Sequence, residues 1–90
     1  MARIKLTVYG IVQGVGFRYH TRQTALQIGL TGYVMNKPDG TVEIVADGQK
    51  EQLQRMIAWA KKGPDTATVD RVETQELLSI NTFESFNVEY

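Results

Sequence analysis

The chain opens on strict alternation. Over residues 3–9, Ile4, Leu6 and Val8 fall on one side and Lys5, Thr7 and Tyr9 on the other, the period-2 pattern of a strand with one buried face. Gly10 then opens the segment Ile11-Val12-Gln13-Gly14-Val15-Gly16. Three glycines in seven residues predict a tight loop there, because glycine adopts backbone angles that side chains forbid. From Phe17 the period changes. Phe17, Thr21, Thr24, Ala25 and Ile28 share one helical face, Arg18, Arg22 and Gln23 lie on other sides, and Gly29 stands where a C-cap glycine belongs. The helix is about three turns long.

Leu30 to Asn36 reads as a second strand and Thr41 to Ala46 as a third, with Val42, Ile44 and Ala46 on one face. Between them, Lys37-Pro38-Asp39-Gly40 is a turn with proline second and glycine fourth, so the two strands form an antiparallel hairpin. Asp47-Gly48 reads as the break after the third strand. Leu53, Met56, Ile57 and Ala60 then repeat at i, i+3, i+4 and i+7, predicting a second helix over Lys50–Lys62. Lys61 and Lys62 suit its negative end, and Gly63-Pro64 stops it. Val69 to Leu77 is a fourth strand, and Phe86, Val88 and Tyr90 alternate as a short fifth.

The order β-α-β-β-α-β with a terminal strand predicts an α+β sandwich, with two helices on one face of an antiparallel sheet. It matches the split βαβ units of a ferredoxin-like fold, with the first and third strands central. Fold alone does not give function.

Composition narrows the class. Ninety residues allow one domain, 1–90, and no linker or repeat interrupts them. Apolar residues are 42% and charged residues 22%, the balance of an ordinary globular chain and not of a disordered one. Zero cysteines exclude a disulfide scaffold, a thiolate metal site and a cysteine nucleophile. No apolar run is long enough to span a bilayer, and no signal-peptide core follows Met1. The expected setting is cytoplasmic. Ten basic and ten acidic residues cancel, which removes long-range attraction to nucleic acid or an anionic membrane but leaves room for a local anion site.

That site is expected in Gly10–Arg18, which joins a strand to a helix. Gly14 and Gly16 let successive N–H groups converge on an anion, and the helix N-terminus adds free N–H groups and its positive dipole end. Arg18 sits in the first helical turn, where the dipole disfavours a cation by roughly 0.3–1 kcal/mol. A doubly charged anion between the arginine and the amides accounts for it. The plainer reading, a turn shaped by glycines beside a solvated arginine, is equally compatible with the loop alone.

Gly10-Ile11-Val12-Gln13-Gly14-Val15-Gly16-Phe17-Arg18 resembles the first signature of the acylphosphatase family at every defining position. A second stretch, Gly32-Tyr33-Val34-Met35-Asn36 followed by Gly40-Thr41-Val42 and Gly48, is similar to the family's second signature, and the likeness covers nearly the whole chain. The resemblance implies a metal-independent hydrolase that splits acyl phosphates into a carboxylate and inorganic phosphate, with no cofactor and no metal. It implies that Gln13, Gly14, Val15, Gly16, Phe17 and Arg18 hold the phosphoryl group. Arg18 and Asn36 are the implied catalytic residues, Asn36 holding the attacking water. The expected partners are a small acyl phosphate and its phosphate product, with no nucleic acid, no membrane and a monomeric chain.

Two other functions compete. An anion-binding module would use the same loop but needs no water-orienting amide at Asn36. A nucleic-acid-binding domain of this fold needs stacking aromatics and a basic face, for which Tyr9 and Tyr33 are weak candidates. His20, two residues past Arg18, reads as an exposed helix residue and not as a base. Asp39 and Asp47 read as turn residues, Trp59 as packing, and Tyr9 and Tyr33 either as strand residues flanking the site or as ordinary sheet positions.

Overall fold

The computed structural model describes residues 1–90. Its elements are β1 (Ala2–Ile11), α1 (Phe17–Ile28), β2 (Thr31–Asn36), β3 (Val42–Gly48), α2 (Lys50–Lys62), β4 (Thr68–Leu77) and β5 (Phe86–Glu89). They form one five-stranded sheet in the order β4-β1-β3-β2-β5, with both helices packed on one face and against each other. This is the ferredoxin-like α+β arrangement, with β1 and β3 inside the sheet. The expected antiparallel sheet is corrected at one edge. β5 lies parallel to β2, with Val34 opposite Val88, so the sheet is mixed.

The core follows from the alternation. Ile4, Leu6 and Val8 of β1, Val34 of β2, and Val42, Ile44 and Ala46 of β3 point to the helices. They meet Phe17 and Ala25 of α1, and Leu53, Met56 and Ala60 of α2. Trp59 is packing, as expected, with its ring 5.4 Å from that of Phe17. Gly29 caps α1 in the left-handed region and donates to Ala25 O. At the start of α2, Gln52 Oε1 accepts from the Gln49 N–H at 2.8 Å. No helix is long and apolar enough to cross a membrane.

Two boundaries differ from the sequence reading. Gly10 does not leave the strand. β1 continues to Ile11 through a register shift between Tyr9 and Gly10. Gly10 has φ +131°, and a Cβ there would stand 2.1 Å from the Thr68 carbonyl oxygen of β4. Only glycine fits this bulge. Asp47-Gly48 is not a break either. β3 runs on to Gly48, paired with Ala2 and Arg3 of β1.

Asp47 is the reason that β3 continues. It points to the face of the sheet opposite the helices, where Arg3 Nε donates to Oδ1 at 2.6 Å and Arg3 Nη2 to Oδ2 at 2.9 Å. Both side chains are under 10% exposed, at 8% and 6%. Arg3 also donates to the Asn81 carbonyl, and its guanidinium lies 4.5 Å from the Phe83 ring centre. Residues before β5 thereby cover this end of the open face. Phe83 meets Tyr33 edge-on at 5.9 Å. Asp39, by contrast, is a turn residue as expected. The Thr41 hydroxyl and N–H both donate to it, and these two bonds hold its carboxyl below the usual range.

Breaking the Arg3–Asp47 pair from one side strands a buried charge. Arg3→Met is expected to cost about 3 kcal/mol, and adding Asp47→Leu to restore most of it; urea unfolding of the three proteins checks both. Tyr33 supplies a pH test. Burial, and then its hydrogen bond to Glu43, push its hydroxyl up to about 12 from 10.0. The folded chain therefore keeps this proton when the unfolded chain has lost it. The contribution is full below pH 10 and disappears as pH rises through about 12. Tyr33→Phe should flatten the fall of the urea midpoint across that window.

Candidate active site

β1 and β2 both run antiparallel to β3, so they run parallel to each other, and β5 is parallel to β2. Three carboxyl ends therefore meet at one edge of the sheet. β1 delivers the glycine loop there, β2 delivers Asn36, and β5 delivers Val88 and Tyr90. α1 starts at the same edge. A cleft of about 220 Å³ opens between them, lined by Val12, Gly14, Gly16, Phe17, Arg18, Tyr19, Asn36, Val88 and Tyr90.

The loop is bent by two glycines in the left-handed region, Gly14 at φ 74° and Gly16 at φ 78°. Gly16 is the N-cap of α1, and no side chain caps the helix or places an acid in its first turn. The first N–H groups and the positive dipole end are thus left to whatever enters the cleft. Arg18 is half-buried. Its Nη1 makes a long contact of 3.4 Å to the Glu89 carbonyl, and its guanidinium lies 4.7 Å from the Tyr90 ring centre. A cation is thus held at a cationic helix end by β5 and not by a carboxylate.

Asn36 is at the carboxyl end of β2, on the same face as buried Val34. Its Oδ1 is buried, and no protein group donates to it. An unsatisfied buried acceptor costs about 1–3 kcal/mol, so this one calls for a partner or a role.

Of the residues expected at the site, Gly14, Gly16, Phe17, Arg18 and Asn36 line one cleft. Gln13 and Val15 do not. Gln13 Nε2 donates to the Lys37 and Thr41 carbonyls, each at 2.8 Å. Val15 packs against the core, and its carbonyl accepts from the Thr66 hydroxyl at 2.6 Å. His20 is exposed beside Gly16, in a separate groove with Gln23, Trp59, Lys62 and Thr66. Tyr9 and Tyr33 are away from the cleft, on the open face, bonded to Glu73 and Glu43. No three His, Asp or Glu side chains come together in a metal-ligating group. Val12, Tyr19, Val88 and Tyr90 were not foreseen as lining residues. The alternation at Phe86, Val88 and Tyr90 revealed a strand, but periodicity carries no record of which strand it pairs with.

The acylphosphatase family model matches residues 4–88. The chain belongs to the acylphosphatase family. It is 49% identical over 90 residues to an acylphosphatase of Pasteurella multocida, covering all of both chains. It is 47% identical over 89 residues to one of Caldivirga maquilingensis, covering 98% of this chain and 94% of that one. Among solved structures, the acylphosphatase from Bacillus subtilis superposes with a TM-score of 0.95 at 36% identity over the full length of both chains. The chain is thus a hydrolase of the acylphosphatase family.

The left-handed glycines carry a testable cost. Gly16→Ala meets no steric wall, since its Cβ would stand 3.6 Å from the His20 ring. It still requires a side chain at φ 78°. The expected loss is about 1–2 kcal/mol of stability, together with weaker competitive inhibition by inorganic phosphate. Urea unfolding and inhibition kinetics measure the two effects separately.

Proposed function

We propose that the cleft hydrolyses acyl phosphates without a metal, the loop and Arg18 holding the phosphoryl group and Asn36 holding the attacking water. The observation that carries this reading is the buried, unserved Oδ1 of Asn36 in the same cleft as Arg18 and the free amides of the α1 N-terminus. An anion-binding module has no use for that acceptor. A water that donates one hydrogen to it directs a lone pair into the cleft.

In the reaction the water oxygen bonds to phosphorus, and the bond from phosphorus to the acyl oxygen breaks. The carboxylate leaves with the electron pair, and the water's proton ends on the phosphate product. Phosphoryl transfer asks for positioning and charge stabilisation more than for covalent work. Backbone N–H groups of Gln13–Phe17 and the Arg18 fork grip the oxygens more strongly as charge spreads over them in the transition state. The leaving carboxylate is the anion of an acid with a pKa of about 4, so it needs no strong general acid. Asn36 does not titrate and serves by orientation alone. Val12, Phe17, Tyr19, Val88 and Tyr90 give the remaining walls an apolar and aromatic character suited to an acyl group. A chain without cysteine suits the cytoplasm.

Benzoyl phosphate hydrolysis, with and without EDTA, tests the reading. Turnover should be indifferent to EDTA. Arg18→Ala should abolish both turnover and inhibition by inorganic phosphate, and Arg18→Lys should rescue poorly, because an ammonium lacks the planar fork. Asn36→Ala should lower kcat roughly 100-fold, the scale of losing one oriented polar group, with phosphate inhibition retained. Folded wild type that binds phosphate but does not turn over would move the assignment to an anion-binding module.

A further inference from the structure

The glycine loop and Asn36 come from different elements, and catalysis requires their separation to be fixed. β1 carries the loop, while Asn36 ends β2 immediately before the hairpin turn. The sheet places β3 between the two strands. One side chain spans the gap directly. Gln13 Nε2 donates to Lys37 O and to Thr41 O, both at 2.8 Å. The two hydrogens of a single amide nitrogen are thus committed to the two ends of the turn that follows Asn36.

We propose that the Gln13 side chain is a positioning residue, setting the distance between the phosphate loop and the water held by Asn36. The proposal rests on the water-holding reading of Asn36 and adds to it the part that fixes its geometry. Gln13 is absent from the cleft lining, so its side chain does not grip substrate. Nor is it needed to form the turn. Lys37 N donates to Thr41 O at 2.9 Å, and Gly40 N to Lys37 O at 3.1 Å. Both carbonyls therefore keep a partner when Gln13 is removed, and no buried acceptor is orphaned. What is lost is the tie between two elements. The other end of the loop is tied separately, through Thr66 Oγ1 and Val15 O. That second bond holds the loop to the segment after α2 and leaves Asn36 untouched.

The consequence is a particular kinetic signature. The loop keeps its glycines, its amides and Arg18, so phosphate grip survives. The water loses its alignment with phosphorus, and a misplacement on the scale of an ångström costs up to about 100-fold in rate.

Gln13→Met tests this, because it keeps the length and neutrality of the side chain and removes both donors. Gln13→Ala serves as a second variant of different shape, and circular dichroism checks that each folds. The expected result is a fall in kcat of about 10-fold or more, with KM and the phosphate inhibition constant close to wild type. The same substitutions in an Asn36→Ala background should lower kcat no further, because there is no oriented water left to misplace. Multiplicative losses in the double variants would overturn the proposal, as would unchanged kcat in the single variants. So would a rise in KM matching the fall in kcat, which would assign Gln13 to substrate grip. The underlying reading has its own control. If Asn36→Ala alone keeps wild-type kcat, the water-holding role fails and the Gln13 proposal goes with it. If Asn36→Ala is slow while Gln13→Met is not, only the Gln13 proposal fails.

Discussion

β3 lies between β1 and β2 and runs against both of them. From that single pairing constraint, β1 and β2 must end at the same edge of the sheet. The glycine loop at the end of β1 and Asn36 at the end of β2 are 18 residues apart between Arg18 and Asn36, yet they share a cleft. Any one-residue slip in β2 would turn Asn36 to the opposite face. The register is held because Val34 and Val42, both fully buried, need the helix-facing side. The packing of two valines thus decides where an uncharged amide points.

The electrostatics of the cleft are local. The chain as a whole is neutral, and the cleft contains Arg18 but no acidic side chain. The charged pair that is most deeply buried, Arg3 with Asp47, is elsewhere, on the open face of the sheet, where it joins β1, β3 and the segment leading into β5. Mutually satisfied charges serve packing there. At the site, charge is deliberately incomplete: a cation at the positive end of a helix, with no carboxylate in contact. A complementary anion would relieve that incompleteness, which is the electrostatic support for the proposed phosphoryl grip.

Much of this was legible in the sequence, because the informative features are local. The alternation from Ile4 to Val8, the glycines at 14 and 16, and the helical face from Phe17 to Ile28 each concern residues close in the chain. The resemblance to a known family added Asn36, which periodicity alone could not single out. What escaped notice depended on distant partners. Asp-Gly is a common turn signal, but Asp47 stays in a strand because Arg3, 44 residues away, neutralises it. Gly10 reads as a loop residue until the Thr68 carbonyl is seen to need its space. β5 joins β2 in parallel across the whole intervening chain, so no local pattern gives its direction. Val88 and Tyr90 entered the cleft by that route.

The same distinction explains why the loop is anchored as it is. A glycine-rich segment is cheap to bend but also cheap to disorder, since glycine loses more freedom on folding than any other residue. A loop of this kind therefore needs anchors from the rest of the protein. Phe17 supplies one, fully buried against Trp59. The Val15 carbonyl, held by Thr66, supplies another. The Gln13 amide, held by the hairpin, supplies a third. The Gln13 and Val15 anchors lie outside the cleft lining, while Phe17 both packs on Trp59 and lines the cleft. Seen this way, the residues of the signature divide into two sets. Gly14, Gly16, Phe17 and Arg18 line the cleft, while the Gln13 side chain and the Val15 carbonyl are bonded to the protein. A single short motif can carry both sets because left-handed glycines at 14 and 16 let the backbone curl between them.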